Sequence, residues 1–255
     1  MNSIIFFIKD ILDYSMITVF NTPDRFFLAL TFGILPALLW LWFWLHEDRL
    51  HPEPRKTILF TFLAGMLVVP FARQLEQLAW EVIRPESFLL VVIWSGIEEL
   101  LKFFAAFFPA ILSKYDDEPV DAVIYMITAA LGFAAYENAL YLANPDFGTT
   151  FISTLLTGNL RFMGATLLHV ISSASIGMAL GFAFFRKDAS KITHWLIGFF
   201  IALTLHSFFN FFIMGSSGQS VFIVFYEVWV AILVLFFFFE KLKKVGIKPD
   251  NQITS

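Results

Sequence analysis

The sequence predicts an all-α fold, a polytopic transmembrane helical bundle of about seven spans, on three observations. Of 255 residues, 58% are hydrophobic and only 15% are charged, which is far from the balance of a water-soluble domain. Apolar stretches of about 20 residues, the length that crosses a bilayer core, recur along the chain. Most Lys and Arg residues fall in the connectors between these stretches. We therefore expect residues 1–255 to form a single integral membrane domain.

Seven stretches have the length and character of membrane spans. They cover residues 25–45, 58–80, 88–110, 120–143, 162–185, 193–214 and 219–240. The segment 1–22 is apolar but contains Lys9, Asp10 and Asp13, which are costly at mid-bilayer. We expect it to lie in the interface, with an eighth span over residues 3–20 as the alternative. The mixed polar and apolar pattern of residues 144–161 is compatible with either a re-entrant gate or an ordinary amphipathic connector.

Basic residues mark alternate connectors and so predict an orientation. They are Arg49, Arg55, Lys56, Arg186, Lys187, Lys191, Lys241, Lys243, Lys244 and Lys248. The positive-inside rule places these connectors and the tail 241–255 in the cytoplasm, and the N-terminus outside, in a cell (inner) membrane protein. The net charge of −4 gives no reason to expect nucleic acid as a partner, so the lipid bilayer is the expected surrounding. The absence of cysteine excludes thiolate catalysis and cysteine metal sites.

Ionisable and amide side chains inside the predicted spans indicate a functional site, because each costs several kcal/mol to desolvate unless it is paired or lines water. They are Arg73, Gln74, Glu76, Gln77, Glu98, Glu99, Lys102, Glu137, Asn138, His169, His206 and Asn210. Counted from the outer ends of their spans, Arg73, Glu98, Glu137, His169 and His206 lie at depths of roughly 9 to 15 Å. A shared depth predicts one common cavity. The polar stripe beginning at Arg73 is equally compatible with a water-facing wall.

The residue types suit hydrolysis by an activated water. A glutamate, Glu98 or Glu99, serves as general base, with Glu137 as a third carboxylate. A zinc site would use His169, His206 and one carboxylate, for which Glu137 is the candidate. In the metal-free alternative, His206 and Asn210 stabilise an oxyanion. Lys102, Asn138 and Arg73 are assigned supporting roles.

Residues 46–51 contain two histidines but do not form a metal motif. His46-Glu47-Asp48-Arg49-Leu50-His51 has one residue too many for the zinc motif HExxH, because its histidines lie five positions apart, about 140° round a helix. We interpret it as a charged cytoplasmic loop.

Four motifs in order resemble the PrsW family of intramembrane proteases. Glu98-Glu99-x-x-Lys102, preceded by Trp94, resembles EExxK, and Gly132-Phe133-x-x-x-Glu137-Asn138 resembles GFxxxEN. His169, followed by Ser172, Ser173 and Gly177, and His206-x-x-x-Asn210 resemble the two later histidine motifs. The family is distantly similar to the CAAX prenyl endopeptidases, which usually have Arg and His where this chain has Lys102 and Glu137.

The resemblance implies cleavage of membrane-anchored proteins, such as anti-sigma factors, by a metalloprotease or a metal-free glutamate peptidase. A transporter or channel that uses the same buried charges is the alternative from another class, although no internal repeat is visible. A non-catalytic scaffold would leave the buried carboxylates without a purpose.

Overall fold

The computed structural model describes residues 23–49, 51–83, 87–143, 162–215 and 219–245. These residues form helices and contain no strand. In chain order the α-helices are α1 (Pro23–Glu47), α2 (Arg55–Leu67), α3 (Val69–Val82), α4 (Phe88–Ala106), α5 (Asp121–Ala143), α6 (Leu167–Phe182), α7 (Asp188–Gly215) and α8 (Gln219–Leu242). Two π-helical turns, Phe107–Ile111 and Phe162–Thr166, continue α4 and precede α6. The predicted all-α class is confirmed.

Each of the seven predicted stretches coincides with helix, but the second is not one continuous helix. It divides at Val68 into α2 and α3. Pro70 follows this break at the start of α3, where its missing N–H and fixed φ are tolerated. Pro109 similarly lies within the π-helical turn after α4, where the regular hydrogen-bond ladder is interrupted. Both irregularities follow from proline chemistry.

Five segments of the described residues are long and apolar enough to cross a membrane. They are Ala29–Glu47, Arg55–Val82, Asp121–Leu142, Gly164–Phe182 and Asp188–Phe212. Large apolar side chains such as Leu39, Phe60 and Phe200 point outward from α1, α2 and α7, at 60% to 69% exposure. A surface of this kind is typical of contact with lipid. The chain is therefore an integral membrane protein. The total of seven spans and the orientation remain predictions, and the expectations for 1–22, 144–161 and the tail beyond residue 245 lie outside the described residues.

Helix α5 forms the centre of the bundle. Every residue from Val120 to Ala135 is buried, and the helix packs against α1, α2 and α6. Close backbone approach makes this possible: a Cβ on Gly132 would overlap the carbonyl group of Phe62 on α2. A helix that is apolar on all sides is expected in such a position. Its two carboxylates, Asp121 and Glu137, are buried toward its opposite ends.

Candidate active site

Charged and histidine side chains from five helices meet inside the bundle, and we call this group the Glu/His cluster. Its members are Arg73 and Glu76 of α3, Glu98, Glu99 and Lys102 of α4, Glu137 of α5, His169 of α6 and His206 of α7. All are at most 6% exposed except Arg73, whose side chain is 36% exposed. Five separate helices thus surround one polar region in an apolar interior.

Glu99 is the most completely hydrogen-bonded carboxylate of the cluster. Its oxygens accept from Lys102 Nζ at 2.6 Å, His206 Nδ1 at 2.7 Å, Ser172 Oγ at 2.7 Å and Ser173 Oγ at 2.8 Å. The side chain has no exposed area. Four donors hold both oxygens, which favours the ionised form and fixes the carboxylate in one position. Glu99 is therefore suited to orienting its neighbours.

The hydrogen-bond network assigns the tautomer of each histidine. His206 Nδ1 donates to Glu99, which leaves the lone pair of Nε2 available. His169 Nδ1 lies 2.9 Å from Lys102 Nζ, and an ammonium can only donate, so this nitrogen accepts. The proton of His169 consequently lies on Nε2, which donates to Glu137 at 2.9 Å. Both rings are locked by charged partners.

Glu98 differs from Glu99 in having an oxygen that no hydrogen bond satisfies. Its Oε2 is buried without a hydrogen-bond partner. It lies 3.7 Å from His169 Nδ1, 3.7 Å from His206 Nε2 and 3.8 Å from Lys102 Nζ. These separations exceed hydrogen-bond distance, and a buried unpaired carboxylate oxygen is costly. The arrangement suits a water molecule or a metal ion bound by Glu98 and the two imidazole rings.

The donor set at this point fits a divalent metal ion. One atom each from Glu98, His169 and His206 lie within 4.8 Å of one another. Two imidazoles and a carboxylate are the ligands of several catalytic zinc sites. The tentative sequence assignment named Glu137 as the carboxylate, whereas this grouping uses Glu98, with Glu137 behind the His169 ring. Coordination through His169 Nδ1 would also require Lys102 to give up its 2.9 Å hydrogen bond.

Arg73 and Glu137 form the side of the cluster that faces the surface. Arg73 bonds to Glu137 through one guanidinium nitrogen and lies 3.3 Å from Glu76 through the other. The sequence left open whether the polar stripe on the second span belongs to the site or forms a water-facing wall. In the structure, Arg73 and Glu76 of this stripe are part of the cluster. Glu137 therefore connects the guanidinium to the imidazole of His169. This connection fixes the ring orientation from α3.

A cleft of about 260 Å³ opens beside the cluster. Its wall includes Pro70, Arg73, Glu76, Trp80 and Trp94. The two indole rings stack with their centroids 5.9 Å apart, and Trp94 Nε1 donates to the Glu76 carbonyl at 2.9 Å. Because Arg73 and Glu76 belong to both the cleft and the cluster, the cleft directly adjoins the cluster.

Two predicted site residues lie apart from the central contacts. Asn138 donates to Thr166 at 3.0 Å and so ties α5 to the turn before α6. Asn210 is half-buried one turn beyond His206, and within the described residues no hydrogen bond joins it to the cluster. The sequence interpretation also missed two contributors, Ser172 and Ser173, as donors to Glu99. Their spacing of three and four residues after His169 placed them on its face of the helix, and this was the available signal.

A buried cluster of carboxylates and histidines inside a helical membrane protein is the arrangement expected of a membrane-embedded enzyme. The family model described as PrsW family intramembrane metalloprotease matches residues 53–239. The chain belongs to the PrsW family and is an intramembrane protease.

Curated relatives agree with this assignment. Protease PrsW of Bacillus subtilis (strain 168) is 26% identical over 220 residues, covering 86% of this chain and 95% of the relative. Protease PrsW of Geobacillus kaustophilus (strain HTA426) is 27% identical over 196 residues, covering 75% and 82% respectively. Protease PrsW of Clostridioides difficile (strain 630) is 27% identical over 198 residues, covering 75% and 79%. No solved structure matches the chain.

Proposed function

We propose that the protease hydrolyses peptide bonds of membrane-anchored proteins with a water activated by Glu98. The observation that carries this proposal is the buried, unpartnered Oε2 of Glu98, 3.7 Å from one nitrogen of each histidine. A water placed there could donate to Glu98 and to the lone pair of His206 Nε2. General-base catalysis requires a carboxylate oxygen that is available to accept the proton of water. Glu98 has such an oxygen, whereas those of Glu99 already accept four hydrogen bonds.

The other residues of the cluster would position the reacting groups. Glu99 holds His206 through Nδ1, and Glu137 holds His169 through Nε2. After attack on the carbonyl, Glu98 would return the proton to the leaving amine. Asn210, as predicted from the sequence, would donate to the oxyanion once a substrate has entered. Preorganised side chains of this kind lower the barrier because they need no rearrangement in the transition state.

In the alternative form of the proposal, Glu98, His169 and His206 would hold a zinc ion. Bound zinc would supply Lewis-acid polarisation of the water and of the scissile carbonyl. The donor types and the unpartnered Oε2 of Glu98 support zinc, and the position of the Lys102 ammonium supports the metal-free form. Glu98 acts as a ligand in the first case and as the base in the second. The carboxylate of Glu98 is needed in both.

The substrate class follows from the family resemblance and from the position of the cleft. Regulatory proteins with a single membrane anchor, such as anti-sigma factors, would bring a peptide segment along the bilayer to the stacked tryptophans. The basic residues 241–248 support a cytoplasmic C-terminus in the cell membrane.

Cleavage of a fluorescent membrane-anchored reporter by the purified full chain in liposomes tests the base. Glu98→Gln keeps the shape of the side chain and removes the base, so we expect the rate to fall about 10²- to 10⁴-fold. Glu81→Gln is the matched control, since Glu81 is exposed near the end of α3. Wild-type turnover by Glu98→Gln would overturn the proposal.

Chelation distinguishes the two forms of the mechanism. If zinc takes part, a chelator stops turnover and zinc restores it. Full activity with less than about a tenth of an equivalent of transition metal would eliminate zinc and leave the glutamate mechanism. In that case Asn210→Ala should still lower the rate by roughly 10² to 10³ if Asn210 stabilises the oxyanion.

A further inference from the structure

A second group of carboxylates, two of them buried and one half-buried, lies at the other end of α5, and we call Asp48, Glu53 and Asp121 the acidic cluster. One oxygen from each of these residues lies within 4.8 Å of the other two. Asp121 begins α5, and Glu137 of the Glu/His cluster follows 16 residues later (137 − 121), which is about 24 Å along the helix. The acidic cluster is therefore separate from the active site.

The run 46–51, interpreted from the sequence as a charged cytoplasmic loop, contains a buried carboxylate that its sequence did not indicate. Asp48 follows the last residue of α1 and is only 7% exposed. Its Oδ2 is buried and has no hydrogen-bond partner. The loop therefore turns this carboxylate inward, toward the start of α5.

Asp121 offers a second unsatisfied oxygen to the same place. The side chain has no exposed area, and its Oδ2 accepts from the backbone N–H groups of Asp117 at 2.8 Å and Glu118 at 2.7 Å. Its Oδ1 is buried without a partner. One carboxylate oxygen of Asp121 thus holds the preceding loop in place, while the other lies beside Asp48 and Glu53 without a hydrogen-bond partner. Unpaired buried carboxylate oxygens are destabilising unless a proton or a cation compensates them.

Among the described residues no cationic side chain is paired with the acidic cluster, and Lys243 acts on Asp48 without forming a salt bridge with it. No Lys, Arg or His nitrogen there forms a salt bridge with Asp48, Glu53 or Asp121. Glu53 accepts a hydrogen bond from the Tyr125 hydroxyl, which is neutral. Burial, with a further contribution from neighbouring carboxylates, raises the pKa of Asp48 to about 7 and the pKa of Glu53 to about 9. The described residues thus provide no paired positive charge for the cluster.

We propose that the acidic cluster binds a hard divalent cation, Mg²⁺ or Ca²⁺. An all-oxygen set of carboxylates is the ligand chemistry of these ions, with water completing the coordination. The nitrogen-containing Glu/His cluster has the different ligand chemistry of zinc. The cation joins the end of α1, the connector 51–54 and the start of α5. It therefore stabilises the end of the bundle that lies away from the active site.

Thermal unfolding of the purified full chain, freed of metals with a chelator that is then removed, tests this proposal. Addition of MgCl₂ or CaCl₂, at ionic strength matched with NaCl, should raise Tm by roughly 5 °C or more at saturation. Asp48→Asn and Asp121→Asn should each lose most of this rise. Both variants should still fold. The Asp121→Asn side chain keeps an oxygen that can accept from the loop N–H groups, and among the described residues Asp48 makes no hydrogen bond that Asp48→Asn would remove.

Asp188→Asn is the matched control, because Asp188 is an exposed acid at the beginning of α7 and lies outside the cluster. It should respond to the ions as the wild type does. A wild-type Tm that does not change with either ion would overturn the proposal and leave a proton-sharing carboxyl group. An ion-dependent rise that persists in both Asp48→Asn and Asp121→Asn would overturn it equally, by placing the bound ion elsewhere.

Discussion

The two carboxylate clusters, which lie toward opposite ends of α5, differ in how their charge is compensated. In the Glu/His cluster, Lys102 and Arg73 supply positive charge from within the chain, and Glu99 accepts four hydrogen bonds. In the acidic cluster the described contacts of Asp48 and Asp121 include no cationic side chain. The first cluster is held rigid by the protein itself, as a catalytic site requires. The second depends on protons or ions from solution, which suits a structural or regulatory role.

Within the Glu/His cluster, the largest expected difference in stability is between two adjacent glutamates. Glu99→Gln removes the 2.6 Å partner of Lys102, whose side chain is fully buried. Leaving a buried ammonium without its main counter-ion costs about 3–5 kcal/mol, so we expect a marked fall in Tm. Glu98→Gln should change the free energy of unfolding by less than about 1 kcal/mol, because Oε2 has no hydrogen-bond partner to lose.

Tryptophan fluorescence during heating measures both variants in detergent, with wild type beside them. The comparison also separates positioning from catalysis, because both substitutions should reduce cleavage while only Glu99→Gln reduces stability. Equal Tm values for the two variants would contradict the division of roles between Glu98 and Glu99.

A smaller effect is expected where α5 meets α2, in the packing that holds the two clusters at opposite ends of one helix. A Cβ at Gly132 would overlap the Phe62 carbonyl, including its carbon at 2.9 Å. Gly132→Ala should therefore destabilise by about 1–3 kcal/mol, the usual cost of overpacking. Gly96→Ala is the matched control, because its Cβ would meet only the Leu203 side chain at 3.5 Å. The control should be neutral or slightly stabilising, since Ala favours helix over Gly. Similar Tm values for both variants would show that α2 and α5 can separate without cost.

The sequence predicted the helices well because their signal is local. Runs of about 20 apolar residues determine where each helix lies, and the bounds differ from the structure by only a few residues. The meeting of Glu98, Glu137, His169 and His206 followed from their common depth. What the sequence did not show depends on contacts between distant residues. The burial of Asp48 requires α5 to pack against the end of α1. The break at Val68 has a local signal in Pro70, but the apolar run continues through it.

The smallest expected effect concerns Lys243, a cation whose charge acts on Asp48 of the acidic cluster. Its Nζ lies 3.0 Å from Glu47 and 2.8 Å from Glu240, and these side chains are 28% to 58% exposed. Partly exposed ion pairs contribute about 0.2–1 kcal/mol, so Lys243→Gln should lower Tm only slightly, and less in high salt.

The positive charge of Lys243 also acts to lower the pKa of nearby Asp48. Removing that charge should therefore make the acidic cluster bind a divalent cation somewhat more tightly, measured as a lower ion concentration at half of the Tm rise. Lys244→Gln is the control, since Lys244 is exposed and makes no ion pair among the described residues. A loss of stability comparable to that of Glu99→Gln would mean that Lys243 compensates the acidic cluster directly, and the contrast between the two ends of α5 would then disappear.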